Sequence, residues 1–232
     1  MKLKKFAVFD IDGTIFRSSL FIEVMEELIK EGIFPLETKK EYNKKYEKWQ
    51  NRDGGYSEYV DAMVKAFFKY IKGVNYDEYM KIVSAVVKKQ QKQTYKYTRN
   101  LIKKLKKDGY FLIAISLSQK DILDIFCPFL GFDKIFGTEF EVDKNNEFTG
   151  VVINKEILNS KAHILKKFIL EENLNIKDSI AVGDTESDIP MFEIVENPIC
   201  FNPNFNLYKE AKKNNWKIVV ERKDVIYKNE IN

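Results

Sequence analysis

The sequence predicts an α/β protein: a parallel sheet covered by helices on both faces, with an inserted helical block and a small β-hairpin. Three observations lead there. Short apolar runs bounded by turn residues alternate with helix-period segments through the second half of the chain. One similar run stands alone near the amino terminus, and between it and the next lie residues 16–93 with hardly any strand character. The length of 232 residues then accommodates one α/β core plus an insertion.

Leu3–Ile11 reads as a short buried strand ending in the turn Asp12-Gly13. In the block that follows, Phe21, Val24, Met25 and Leu28 recur at helical spacing. So do Tyr59, Met63, Ala66, Phe67 and Tyr70, and then Tyr79, Ile82, Val83 and Val86. Breaks fall near Gly32–Pro35, Asp53–Gly55 and Gly73–Asn75. The block is too long for a simple crossover and reads as an insertion. A basic amphipathic helix over Tyr97–Lys107 stops at Asp108-Gly109.

Phe111–Ser116 is then a buried strand, followed by a helix over Lys120–Phe126. Phe140–Val142 and Glu147–Val152 flank Asp143–Asn146 as a hairpin. Ser160–Glu171 is helical, Ser179–Gly183 a strand and Ile189–Val195 a helix. Pro198–Phe201 and Lys217–Val220 are strands around a helix at Leu207–Asn214. The division expected is a core of residues 1–15 and 94–232 with a helical domain over 16–93.

Composition narrows the chemistry. Basic residues number 39 against 35 acidic, a balance too even to imply a nucleic-acid or membrane partner. With one histidine, His163, and two distant cysteines, Cys127 and Cys200, multi-histidine zinc sites and a disulfide framework are excluded. Catalysis is left to carboxylates, hydroxyls and amines, and any metal is a hard cation such as Mg²⁺. No apolar stretch approaches a membrane span or a signal-peptide core, so a cytoplasmic location is the default expectation.

Asp10 and Asp12 close the first strand. Two residues apart, they project to one side, at the carboxyl edge where α/β sheets bind ligands. Read alone, the pair is equally an ordinary surface Asp-Gly turn. Gly183-Asp184-Thr185-Glu186-Ser187-Asp188 follows another strand, and its three acids repel one another unless a cation or a lysine offsets them. By itself this is also a common acidic helix start. Ser116 ends the strand FLIAIS, and Lys161 opens a helix. Neither is conspicuous in isolation.

Their order is the signal. Asp10-Ile11-Asp12-Gly13-Thr14, then Ser116, Lys161 and Gly183-Asp184…Asp188 resembles the haloacid dehalogenase superfamily. The helical segment after the first motif, Phe148-Thr149-Gly150 and the tail Asn202-Pro203…Leu207…Ala211…Trp216 resemble its phosphoserine-phosphatase-like branch. The resemblance implies a Rossmann-like core with a helical cap, and Asp10 as a nucleophile that forms an aspartyl-phosphate. It implies Asp12 as general acid and base, and Mg²⁺ on Asp10, the backbone carbonyl of Asp12, and Asp184. Ser116, Leu117 and Lys161 would bind the phosphoryl group, with Lys161 also catalytic. Asp188 and Thr14 would support these residues from behind. Asp12 points to phosphotransfer rather than dehalogenation, which needs only the first Asp.

The implied activity is Mg²⁺-dependent hydrolysis of a small-molecule phosphate ester. Three departures point away from phosphoserine itself. Ser19 stands where phosphoserine phosphatases carry a Glu, residues 56–64 contain no Arg, and Ser116-Leu117-Ser118 replaces Ser-Gly-Gly. Phosphoserine phosphatase proper and a phosphotransferase remain alternatives. Outside catalysis, the alternative is a binding module docking RNA or protein along Lys88–Lys92 and Lys103–Lys107, with Tyr95 and Tyr97 stacking on bases. The solvated faces of two helices explain those lysines better, so nucleic acid is not expected as a partner. The oligomeric state is left open.

Overall fold

A computed structural model describes residues 4–228. The Leu3 start of the first predicted strand, and residues 1–3 and 229–232 of the expected core, lie outside the described residues. In chain order the first elements are β1 (Lys4–Phe9), α1 (Leu20–Lys30), α2 (Asn43–Gln50), α3 (Tyr56–Tyr70), α4 (Tyr76–Gln90) and α5 (Lys96–Lys107). Next come β2 (Phe111–Gln119), α6 (Lys120–Phe126), β3 (Lys134–Thr138), β4 (Phe140–Val142), β5 (Phe148–Val152) and α7 (Glu156–Asn159). The remainder is α8 (Lys161–Glu171), β6 (Leu174–Gly183), α9 (Ile189–Phe192), β7 (Asn197–Phe201), α10 (Phe205–Lys213), β8 (Lys217–Arg222) and β9 (Val225–Lys228).

Seven strands form one sheet in the order β3-β2-β1-β6-β7-β8-β9. Among the described residues every neighbouring pair in it is parallel except β8 with β9. The expected α/β class is therefore present, with an antiparallel edge added. Parallel strands with both faces covered must be apolar throughout, and Phe6, Ala7, Val8 and Phe9 of β1 are fully buried. The core joins Phe6, Val8, Ile113 and Ile115 of the sheet to Leu165 and Phe168 of α8 and to Met191, Phe192, Leu207 and Ile218. Each such side chain contributes roughly 1.5–3 kcal/mol of burial free energy.

Two strands escaped the sequence reading for a physical reason. β3, Lys-Ile-Phe-Gly-Thr, and β9, Val-Ile-Tyr-Lys, are the sheet's two edges, and their first residues are exposed or only partly buried. Neither has the continuous apolar run of a central strand.

The chain forms two compact units. One comprises the residues up to Ser19, Gln90–Thr138 and those from Asn154 onward; the other comprises Leu20–Lys89 and Glu139–Ile153. The hairpin of β4 and β5 thus belongs with the helices, whereas the sequence division grouped it with the sheet. Aromatic packing accounts for it. Phe140 meets Phe67 edge-on at 5.5 Å, and Phe148 meets Tyr79 at 5.0 Å. Backbone bonds tie the same elements, with Gly73 N–H donating to the Phe148 carbonyl and Phe148 N–H to the Val74 carbonyl. In the same unit Trp49 stacks on Tyr59 at 5.6 Å, beside Tyr46 and Tyr56. Phe21, Phe34, Tyr42, Tyr59, Phe67 and Tyr79 are buried, whereas Tyr46 is exposed.

Candidate active site

The strand order decides which chain segments meet. β1 lies between β2 and β6, with Phe9 in register with Ala114 on one side and Val182 on the other. Residues just past the carboxyl ends of these three strands therefore share one edge of the sheet, at a topological switch point.

On β1 the ladder runs one residue further, since Asp10 N–H donates to the Val182 carbonyl at 2.9 Å. The chain then turns. Ile11 is buried, and Gly13 takes φ +78°, a left-handed conformation that disfavours any residue with a Cβ. Gly13 N–H is held by the carbonyls of Phe16 and Ser18. A Cβ at Gly13 would also run into the Asp184 carboxylate, so glycine is required twice over. Thr14, fully buried, donates its hydroxyl to Asp184 Oδ1 at 3.2 Å.

After β6 the loop folds around Asp188. Its Oδ2 accepts the backbone N–H groups of Asp184 and Thr185 at 3.1 and 3.2 Å, and it helps form a capping box with Thr185 at a 3₁₀ turn over Glu186–Asp188. A Cβ at Gly183 would collide with this carboxylate. The Asp184 carbonyl accepts from Asn204 N–H at 2.8 Å, and the Asn204 and Asn206 amides both donate to Glu186. Two loops thereby brace the segment that carries Asp184.

Lys161 opens α8, whose N-cap Ser160 accepts the backbone N–H of His163. The imidazole of His163 is exposed and takes no part in the cluster. The Lys161 ammonium is buried between two carboxylates, 2.6 Å from Asp10 Oδ1 and 2.7 Å from Asp188 Oδ1. From β2, Ser116 and Ser118 both donate to Asp12 Oδ2, at 3.1 and 2.6 Å. The Leu117 side chain between them is exposed, and its carbonyl accepts the Thr138 hydroxyl at 2.7 Å.

The electrostatics are those of a site with excess negative charge. Burial pushes the Asp10 carboxyl up to about 7; Lys161 opposes the rise, while Asp188 and Asp12 add to it. Asp184 is raised well above the usual range by burial and by repulsion from Asp10 and Asp188. For Lys161, burial favours the neutral form, but the Asp10 and Asp188 carboxylates together outweigh it and raise its pKa.

Carboxylate oxygens of Asp10, Asp184 and Asp188 all lie within 4.8 Å of one another. An all-oxygen donor set with one ammonium against several carboxylates fits a small hard cation. The Gly13 cradle leaves the Asp184 carboxylate its space there.

The sequence-predicted residues all lie in the sheet-bearing unit, in two hydrogen-bonded groups: Asp10, Lys161, Asp188, Asp184 and Thr14 form one, and Asp12 with Ser116 the other, with the Asp12 charge acting on Asp10. Leu117 contributes no side chain to either. The Asp12 carboxylate is engaged by the two serines. Arg17 reaches Glu221 at 3.4 Å and lies over the Tyr95 ring. Tyr97 stacks on Phe201 at 5.7 Å and Tyr95 meets the same ring edge-on, so the aromatics of the nucleic-acid alternative are packed against the protein.

Sequence reasoning assigned no role to Ser118. The signal was present: it lies two residues beyond Ser116 on a strand, and so on the same face.

The family model of haloacid dehalogenase-like hydrolases matches residues 7–193. The chain belongs to the haloacid dehalogenase-like hydrolase family. It is an enzyme of that family, on the branch whose relatives are named phosphatases. A phosphoserine phosphatase of Methanocaldococcus jannaschii is 26% identical over 97% of this chain and 95% of its own. A histidinol-phosphatase of Neisseria meningitidis is 22% identical over 94% of this chain and 99% of its own. The solved structure of a phospho-aspartyl intermediate analogue of phosphoserine phosphatase superimposes with a TM-score of 0.63 at 23% identity, covering 96% of each chain, and so shares this hydrolase's fold. No helix among the described residues is long and apolar enough to cross a membrane.

Proposed function

We propose that this haloacid dehalogenase-like hydrolase is a Mg²⁺-dependent phosphomonoesterase that acts on a small phosphorylated metabolite through an aspartyl-phosphate. One observation carries the reading: two carboxylates two residues apart stand in contrasting surroundings. Asp10 is buried against an ammonium and an acidic cluster, while Asp12 is held by hydroxyls. This contrast in surroundings supports one carboxylate as nucleophile and the other as a separate acid–base group.

In this reading an Asp10 carboxylate oxygen attacks phosphorus as the phosphorus–alkoxide bond breaks, and Asp12 gives its proton to the leaving oxygen. Asp12, now ionised, takes a proton from water that attacks the aspartyl-phosphate, which frees inorganic phosphate and restores both carboxyl groups. Lys161 and Ser116 hold the non-bridging oxygens, with the Leu117 backbone beside them. Thr14 and Asp188 fix Asp184 and Lys161 in place. Asp10, Asp184 and the Asp12 carbonyl would hold Mg²⁺, which supplies charge neutralisation as the anionic substrate approaches.

The relatives named phosphoserine phosphatase and histidinol-phosphatase support a small phosphate monoester as substrate. Ser19, the Arg-free segment 56–64 and Ser116-Leu117-Ser118 favour a monoester other than phosphoserine. The unit of Leu20–Lys89 and Glu139–Ile153 is in this reading the cap of the family, and the cytoplasm the place of action. The test is a phosphate-ester panel with Mg²⁺ and the Asp10→Asn variant as control. Activity that the variant lacks supports the assignment; a folded wild-type chain inert on the whole panel overturns it.

A further inference from the structure

Ser118 and Ser116 converge on one oxygen of Asp12, and their bonds differ. Ser118 Oγ donates to Asp12 Oδ2 at 2.6 Å, Ser116 Oγ donates to the same atom at 3.1 Å, and Ser116 Oγ also accepts the Ser118 backbone N–H at 3.0 Å. Both hydroxyls are buried. A serine hydroxyl has a single hydrogen to give. If Ser116 turns that hydrogen to a phosphoryl oxygen, as the proposed function requires, its bond to Asp12 is lost. The backbone N–H of Ser118 keeps Ser116 Oγ in place through that exchange, and the Ser118 hydroxyl remains on Oδ2.

We propose that Ser118 is a positioning residue for Asp12, holding its carboxylate by Oδ2 while substrate takes the Ser116 hydroxyl. The inference rests on the phosphatase reading and extends it. In the first half-reaction the Asp12 carboxyl proton moves to the alkoxide as the phosphorus–oxygen bond breaks; in the second, the Asp12 carboxylate takes one from the attacking water. Ser118 exchanges no proton with substrate. It fixes the plane and distance of the group that does.

The consequence is a dependence on leaving group. An aryl phosphate with an acidic phenol, such as 4-nitrophenyl phosphate, departs without needing a proton, whereas phenyl phosphate leaves as a more basic oxygen and relies on Asp12. The Ser118→Ala variant keeps the backbone N–H to Ser116 and removes only the hydroxyl. Its kcat/KM, which reports the first chemical step, is expected to fall by about 10- to 100-fold on phenyl phosphate and by less than about 3-fold on 4-nitrophenyl phosphate. Ser118→Thr, which restores a hydroxyl, is expected to recover most of the loss. Circular dichroism and thermal melting on each variant check the fold.

Equal losses on both esters in a folded Ser118→Ala variant, no loss on either, or no recovery with threonine would each overturn the assignment while wild-type activity preserves the phosphatase reading. A wild-type chain inert on both esters removes the reading and the inference together.

Discussion

Lys161 places its ammonium 2.6 Å from Asp10 and 2.7 Å from Asp188, so one buried cation joins the end of the first strand to the loop after β6. The three groups are far apart in sequence and almost wholly inaccessible to solvent. Taking so many charges from water is costly, and Lys161 has two carboxylate partners to offset it.

Replacing Lys161 with Met leaves Asp10 and Asp188 facing each other without a cation. The expected loss is about 3–5 kcal/mol of folding stability, with much of it recovered in saturating Mg²⁺. Urea denaturation with and without Mg²⁺ measures both. Stability equal to wild type in the absence of metal would contradict the bridging role.

The raised Asp10 and Asp184 carboxyls make metal-free stability fall with pH. Their pKa values in the fold lie above the unfolded value of 3.8, and Asp10 reaches about 7. The protonated forms are therefore the ones the fold favours. Their contribution is complete below the unfolded pKa and is lost as pH rises through the folded one. A cation needs the carboxylates ionised, so it relieves the penalty where the penalty is largest. Saturating Mg²⁺ should raise the melting temperature more at about pH 8 than at about pH 5. A shift that is independent of pH, or larger in acid, would count against a cation held by these groups.

Gly13→Ala combines two effects. The left-handed backbone costs about 1 kcal/mol with a Cβ, and the added methyl displaces the Asp184 carboxylate. The Mg²⁺ concentration for half-maximal activity should rise by about tenfold or more. A metal titration of rate decides it; an unchanged midpoint would mean that Asp184 does not contact the ion.

Asp12→Asn separates the two half-reactions. An amide has no proton-accepting role toward water, yet an acidic phenol leaves without assistance. With 4-nitrophenyl phosphate the variant should release about one phenol per enzyme and then stall, with a phosphoryl group on Asp10. Burst kinetics and intact-protein mass spectrometry detect this species. Steady turnover at the wild-type rate would remove Asp12 from the mechanism.

Much of this protein was legible in the chain because parallel strands buried on both faces leave apolar runs that end at turns. β1, the start of β2 and the end of β6 carry that mark, and the motif residues Asp10, Ser116 and Asp184 stand where those apolar runs stop. The scarcity of histidine and cysteine likewise narrowed the chemistry to carboxylates, hydroxyls, amines and a hard cation. The edge strands β3 and β9 left no such mark, because half-exposed strands need no apolar run. Only the tertiary structure seated β1 between β2 and β6, which turns a sequence separation of 151 residues into the 2.6 Å between Lys161 and Asp10. It alone drew the hairpin to the helices through Phe140 and Phe148, and brought the β2 face that carries Ser116 and Ser118 onto Asp12. Local sequence fixes which residues face inward, but pairing between distant segments is settled by which strands and rings can bury one another, and that is a property of the whole fold.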